Sequence, residues 1–249
     1  MMEYFWYTEE IIPAGLGFSL FDSFHLTWLA GALAVIVLGS IAYKKMNAAH
    51  RSIFRKTVAV LLIADELFKL IPMIINGLFH VRYLPFHLCS INLFLIAYHA
   101  WRPNKTIDNF LYTVCIPGAL AAMLFCSWTE MPPLNYMLIH SFTVHTLLIL
   151  YPVMLTAAGE IKPELRQVPK MLLLLAGLGC VALVLNLMWD TNFMFLMEAD
   201  KGNPLTFFEN LWGDHRLGFP VLIAVVVLVM HAPIVIRNKL KAKKTPKID

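Results

Sequence analysis

The chain has 249 residues, of which 59% are apolar and only 14% charged, and its mean hydropathy is +0.68. An average soluble domain carries about 25% charged and about 45–50% apolar residues. The composition therefore excludes a disordered chain, a nucleic-acid-binding protein and a soluble globular enzyme, and it points to lipid as the surroundings. The net charge of +4 says less than its placement along the chain.

The N-terminal stretch MMEYFWYTEE lacks a basic n-region and carries Glu3, Glu9 and Glu10, so it does not read as a cleavable signal peptide. Beyond it, segments long enough to cross about 30 Å of hydrocarbon, roughly 20 apolar residues each, recur seven times. They cover about 24–43, 57–75, 84–101, 107–127, 136–157, 168–189 and 216–236, followed by a basic tail at 237–249. The expected fold is all-α: one polytopic membrane domain of seven transmembrane helices. The connections support this. Lys44, Lys45, Arg51, Arg55 and Lys56, then Arg102 and Lys105, then Lys162, Arg166 and Lys170, then six basic residues of the tail fall on one side. Arg82, Lys201 and Arg216 fall on the other, and Lys69 lies within a span. The positive-inside rule then places the N-terminus outside and the C-terminus in the cytoplasm, in a multi-pass protein of the cell membrane. Tyr4, Phe5, Trp6, Tyr7, Trp128 and Trp212 are expected at the outer interface. The stretch 190–215 is expected to be a long external loop.

Charged groups at the bilayer centre cost at least about 2.5–3.5 kcal/mol each on insertion scales, so they face protein or a wet cavity. In the second span Asp65 and Glu66 precede Lys69 by four and three residues, which puts both carboxylates within reach of the ammonium. Either the trio neutralises itself or one carboxylate is left free. The third span opens LPFHLC, with Pro85 placed in a first helical turn. Cys89, Asn92 and His99 share a helical stripe, whereas His87 and Cys89 lie roughly 200° apart and cannot ligate one metal on a regular helix. In the fifth span His140 and His145 are about 140° apart, and His145 shares a face with Ser141. In the sixth, Asn186 and Asp190 share a face near the outer end, with Asn192 just beyond. Given the directions of the spans, Glu66, Lys69, His87, Cys89, Asn92, His140, His145, Asn186 and Asp190 fall in the central or outer half of the membrane. His99 and His231 fall near the inner end. One outward-opening polar pocket is expected.

The four cysteines (Cys89, Cys115, Cys126, Cys180) form no C-x-x-C pair, so neither a disulfide framework nor a zinc site is expected, and no cofactor is implied. A thiol and an imidazole on facing helices suit acyl transfer through a thioester, with membrane lipid as the substrate class. A carboxylate would orient the imidazole, and Asn92 would steady the oxyanion. The competing readings are a proton- or ion-coupled carrier and a non-catalytic scaffold. Against the carrier, no pair of spans forms an inverted repeat, and internal prolines are assigned to the third and fourth spans alone (Pro85, Pro117). A retinal receptor is excluded because residues 217–236 contain no lysine.

The stretches LPFHLCSINLFL (84–95), DELFKL (65–70), HSFTVH (140–145) and DTNFMFL (190–196) resemble, in the same order, landmarks of the YwaF-like integral membrane proteins. That group includes animal transmembrane protein 164. In DTNFMFL, Asp190 stands where the family pattern has Gly, and Phe193 where it has Tyr. The resemblance runs from about 60 to 235. It implies seven spans and, for the animal branch, acyl transfer between phospholipids by a Cys and a His. Cys89 matches the motif cysteine. His145 is the preferred histidine and His140 the reserve, with Glu66, Lys69, His87, Asn92, Asn186, Asp190 and Asn192 in support.

Overall fold

The computed structural model describes residues 2–199 and 204–244. Lys201 and Lys247, two of the basic residues used above, lie outside the described residues. Among the described residues the secondary structure is entirely helical. The helices are α1 (Ser23–Lys45), α2 (Ala48–Ile75), α3 (Leu88–Trp101), α4 (Lys105–Phe110), α5 (Ile116–Leu124), α6 (Tyr136–Ala157), α7 (Val168–Trp189), α8 (Leu205–Trp212) and α9 (Gly218–Lys244). A π-helical turn, Leu111–Cys115, joins α4 to α5 in one run.

Several helices begin where a short polar side chain answers the free N–H groups of the first turn. Asp22 accepts from His25 N, Asn47 from His50 N, and Asn135 from Met137 N and Leu138 N. Asn135 also donates to the Tyr4 and Tyr7 carbonyls, at 3.0 and 2.8 Å, which pins the N-terminal segment across the start of α6. Phe5 and Trp6 then pack against Tyr136. Trp128 likewise turns inward, stacked on His145, so of the aromatics assigned to the interface several are tied to protein instead.

Among the described residues, five helical stretches are long and apolar enough to cross a membrane: Ser23–Lys45, Lys105–Leu124, Tyr136–Ala157, Leu165–Trp189 and His215–Ile236. The protein is thus a multi-helix membrane protein. The second and third sequence segments differ from the rest for physical reasons. Helix α2 is long, but it extends back through the basic stretch and includes Arg51, Arg55 and Lys56 as well as Asp65, Glu66 and Lys69. Helix α3 has 14 residues and rises only about 21 Å at 1.5 Å per residue. Pro85 precedes it rather than sitting in its first turn, because His87 is the N-cap. Internal prolines are also more widespread than Pro85 and Pro117: Pro72, Pro152 and Pro233 lie inside α2, α6 and α9. Their positions therefore give no argument against a carrier. The 190–215 stretch contains a helix of its own, α8.

Helix α6 is the centre of the bundle: 72% of its apolar window is buried, against 6% for the last helix. An apolar helix that is buried on all sides is a core helix. Those with outward apolar faces, such as Leu33 and Leu38 on α1, Leu173 and Leu187 on α7, and Leu228 on α9, present them to lipid. Contacts around α6 give the directions of its neighbours. Trp28 stacks on Phe142, Gly39 lies against Leu150 and Tyr43 donates to Glu160, so α1 runs parallel to α6. Asp65 meets Thr143 while Arg55 meets Glu160, so α2 is antiparallel to it. Lys56 lies over the Trp101 ring and Lys69 acts on His87, so α3 is antiparallel to α2 and parallel to α6.

Candidate functional site

Two hydrogen-bonded pairs set the heights of the helices against α6. His99 and Tyr151, 2.9 Å apart, fix α3. Ten residues earlier on α3, about 15 Å higher, Cys89 falls level with Ser141, between His140 and His145 in the α6 sequence. The Asp65–Thr143 pair brings Asp65 and Glu66 of α2 to the same height. Polar groups of α2, α3 and α6 thus share one level.

On α2 the acidic pair separates. Glu66 forms the ion pair with Lys69. Asp65 turns to α6 instead, where Thr143 Oγ1 donates to both its carboxylate oxygens at 3.0 Å. His140 bridges the two: its Nδ1 is 3.1 Å from the Asp65 carbonyl and 3.4 Å from Oδ2, and its Nε2 is 3.9 Å from Glu66 Oε2. Of the two carboxylates flanking Lys69 in the sequence, then, only Glu66 pairs with it. Two carboxylates and one ammonium meet here, with an imidazole against both acids. Glu66 Oε1 is taken by Lys69, but Oε2 has no hydrogen bond among the described residues, although the side chain is only 5% exposed.

On α3, Cys89 occupies the first turn, where unpaired backbone N–H groups concentrate the positive end of the helix dipole. It is a free, partly buried thiol whose charged neighbours are Lys69 and Glu66. One turn further on, Asn92 is buried with Oδ1 unpartnered. The other thiols are placed differently. Cys115 is buried and donates to the Leu148 carbonyl, and Cys180 is exposed. Cys126 lies 4.0 Å from His25 Nε2, but that imidazole is fully engaged: Nε2 donates to the Met123 carbonyl and Nδ1 accepts from Phe21 N.

The two histidines of α6 are equally divided. His140 faces α2 with both nitrogens. His145 donates Nδ1–H to the Ser141 carbonyl at 2.6 Å and stacks on Trp128, with ring centroids 5.4 Å apart. A carbonyl only accepts, so this bond fixes the Nδ1–H tautomer and leaves Nε2 as a basic nitrogen.

Three predicted members lie elsewhere. Asn186 is buried and bonds its own following turn: Oδ1 accepts from Thr191 Oγ1 and Phe193 N, and Nδ2 donates to the Phe193 carbonyl. Asp190 does not share its face, because α7 stops at Trp189 and Asp190 is an exposed left-handed cap (φ 52). Asn192 caps Met197 N and Glu198 N. These residues shape the turn that carries Phe193 and Phe195. Those two rings hold His87 at 5.4 and 5.6 Å, over the start of α3. Sequence reasoning missed Thr143 and Trp128 as members of the cluster. A threonine between two histidines was the available signal for the first.

The sequence model of the TMEM164 family matches residues 18–236, nearly the whole chain. The chain belongs to the TMEM164 family. The match includes every residue of the α2–α3–α6 cluster, and the wider YwaF-like grouping rests on the motifs alone. No curated protein and no solved structure matches the chain at a significant level. Within this TMEM164 family member a second polar cluster, also missed, lies lower on the same helices. His99 Nε2 donates to Asp108 Oδ1 at 2.7 Å, and Nδ1 accepts from the Tyr151 hydroxyl.

Proposed function

We propose that this TMEM164 family protein is a lipid acyltransferase or hydrolase in which Cys89 is the nucleophile and His145 the base. The observation that carries the reading is the placement of Cys89. It is a free thiol in the first turn of α3, beside Lys69 and Glu66 and level with two imidazoles. A partly buried thiol attacks as its proton leaves, so it needs a base with an open lone pair. His145 offers one at Nε2, whereas both nitrogens of His140 face α2.

In this mechanism Nε2 takes the thiol proton while Sγ attacks the carbonyl carbon of a lipid ester. The tetrahedral intermediate collapses, the bond to the glycerol oxygen breaks, and that oxygen leaves with the proton from the imidazolium. An acyl thioester remains on Cys89. The hydroxyl of a lysolipid, or water, then gives its proton to Nε2, attacks the thioester and releases the thiol. Lys69 and the amide of Asn92 supply donors toward the oxyanion. Glu66 and His140 hold Lys69 and α2 in place.

The setting we propose is a seven-span protein of the cell membrane, N-terminus outside. The one-sided distribution of basic residues supports it. So does the way α2 turns its acids toward α3 and α6, which lets a charged helix cross. A carrier needs a polar route from Glu66 inward. One turn below the cluster, and on down to His99, lie Leu62, Leu93, Ile96 and Leu148, all fully buried.

The test is labelling of the purified protein with a lipid-like thiol-reactive probe, followed by assay with a fluorescent phospholipid donor. A parent with the exposed Cys180 replaced by Ser is compared with its Cys89→Ala, His145→Gln and His140→Gln variants. Loss of labelling in Cys89→Ala and loss of turnover in His145→Gln are expected. Equal labelling in all four proteins refutes the reading.

A further inference from the structure

At the opposite end of the bundle from Cys89, α1 hands over to α2 through Met46 and Asn47 alone. A concave pocket of about 430 Å³ opens there, lined by Met46, Ala48, Arg51, Ser52, Arg55 and Glu160. That volume suits a small ligand group. The two guanidiniums have unequal surroundings. Arg51 is an anchor: Nε donates to the Tyr43 carbonyl, Nη2 to the Lys44 carbonyl and Nη1 to Glu160 Oε1. The other Glu160 oxygen accepts from the Tyr43 hydroxyl at 2.8 Å. Arg55 is left over. Its Nη1 is 3.7 Å from Glu160, too far for a hydrogen bond, and its Nε is buried without any acceptor among the described residues. The pocket therefore holds two guanidiniums against one carboxylate, and Arg55 is tied to that carboxylate only by the longer, 3.7 Å ion pair.

We infer that this pocket binds the phosphate group of an anionic lipid headgroup, with Arg55 as the principal contact and Ser52 beside it. A guanidinium whose Nε is buried without an acceptor is incompletely satisfied, and a tetrahedral oxyanion suits its planar fork of donors. The site lies at the end of α1 that carries Lys44 and Lys45, which the topology proposed above puts against an anionic leaflet. Basic pockets between transmembrane helices on that side suit phosphorylated headgroups. The inference is independent of the acyl-transfer reading, because no residue is shared and the pocket lies at the other end of α2.

The experiment is native mass spectrometry of the full-length protein in neutral detergent. Retention of phosphatidic acid is compared with that of phosphatidylcholine of the same chains, with and without inorganic phosphate. The variants are Arg55→Gln, Ser52→Asp and Lys45→Gln. Wild type and Lys45→Gln should retain phosphatidic acid over phosphatidylcholine, and Arg55→Gln should lose about tenfold in affinity, the value of one charge-assisted bond. Ser52→Asp leaves the Arg51 anchor intact and should lose at least as much by placing a carboxylate in the pocket. This keeps the test decisive if Arg55→Gln does not fold. Displacement by millimolar inorganic phosphate would overturn the lipid source while retaining the phosphate chemistry. Equal retention of the two lipids, or equal losses in Lys45→Gln and Ser52→Asp, would overturn the site.

Discussion

Two polar clusters lie on the same three faces of α3, α6 and their neighbours, about 15 Å apart along the helix axes, and they are finished differently. In the lower one every group has a partner: both His99 nitrogens are bonded, to Asp108 and Tyr151. In the upper one Glu66 Oε2 and Asn92 Oδ1 are buried without hydrogen bonds among the described residues, and His145 bonds there through one nitrogen only. Buried polar groups are nearly always satisfied, because an orphan costs about 1–3 kcal/mol. A complete cluster holds helices together. An incomplete one, kept at that cost, leaves bonding capacity open.

The largest expected effect breaks the comparison at its centre. With the exposed Cys180 replaced by Ser throughout, Cys89→Ala should abolish probe labelling and reduce lipid turnover by at least about a thousandfold, since a covalent nucleophile has no substitute. Cys115→Ala should label as its parent does, because Cys115 is buried and bonded to a carbonyl. The next effect divides the histidines of α6. His145→Gln should lower turnover by about 10²–10⁴-fold, the usual worth of a general base, with labelling slowed rather than lost. His140→Gln should change turnover less than His145→Gln and lower thermal stability more, because it loosens the contact with Asp65 and Glu66. The reverse ranking would make His140 the base.

How much of this was readable beforehand follows from period and composition. The long apolar helices α1, α6 and α7 were legible because nothing in lipid competes with an uninterrupted apolar run, and α6 and α7 begin and end close to the predicted bounds. Helix α3 was drawn too long because apolarity does not stop at His87, whereas the backbone does. The separation of Asp65 from Glu66 was invisible, since spacing along one helix permits both to reach Lys69 and only α6 decides between them. Asn186 and Asp190 are four apart yet share no face, because the left-handed turn at Asp190 ends the helix one residue earlier. Depth assigns His99 to the inner end but does not reveal the lower cluster. Its third member, Tyr151, lies 52 residues from His99, a distance no local pattern spans.

The complete cluster has its own test, with a stability readout. His99→Leu removes the donor to Asp108 and the acceptor of Tyr151 together, leaving a largely buried carboxylate uncompensated. A loss of about 2–3 kcal/mol is expected, seen as a lower unfolding midpoint in detergent. Turnover per folded molecule should be unchanged. A fall in specific activity at equal folded fraction would mean that the two clusters communicate through the apolar layer of Leu62, Leu93, Ile96 and Leu148.

The smallest effect concerns Thr143, which belongs to the upper cluster yet bonds as fully as any residue of the lower one. Its hydroxyl reaches both Asp65 oxygens and lies within bonding distance of the Ile139 carbonyl. Thr143→Val keeps the shape and deletes the hydroxyl. Interhelical bonds of this kind in membrane proteins are worth about 0.6 kcal/mol on average and about 1.7 at most, so the loss of stability should fall in that range. Turnover should drop no more than a few-fold, because Asp65 keeps His140 as a neighbour and neither touches the thiol. If instead Thr143→Val matches His145→Gln in lost turnover, Asp65 has a direct part in the reaction, and the carboxylate turned away from Lys69 becomes the residue to follow.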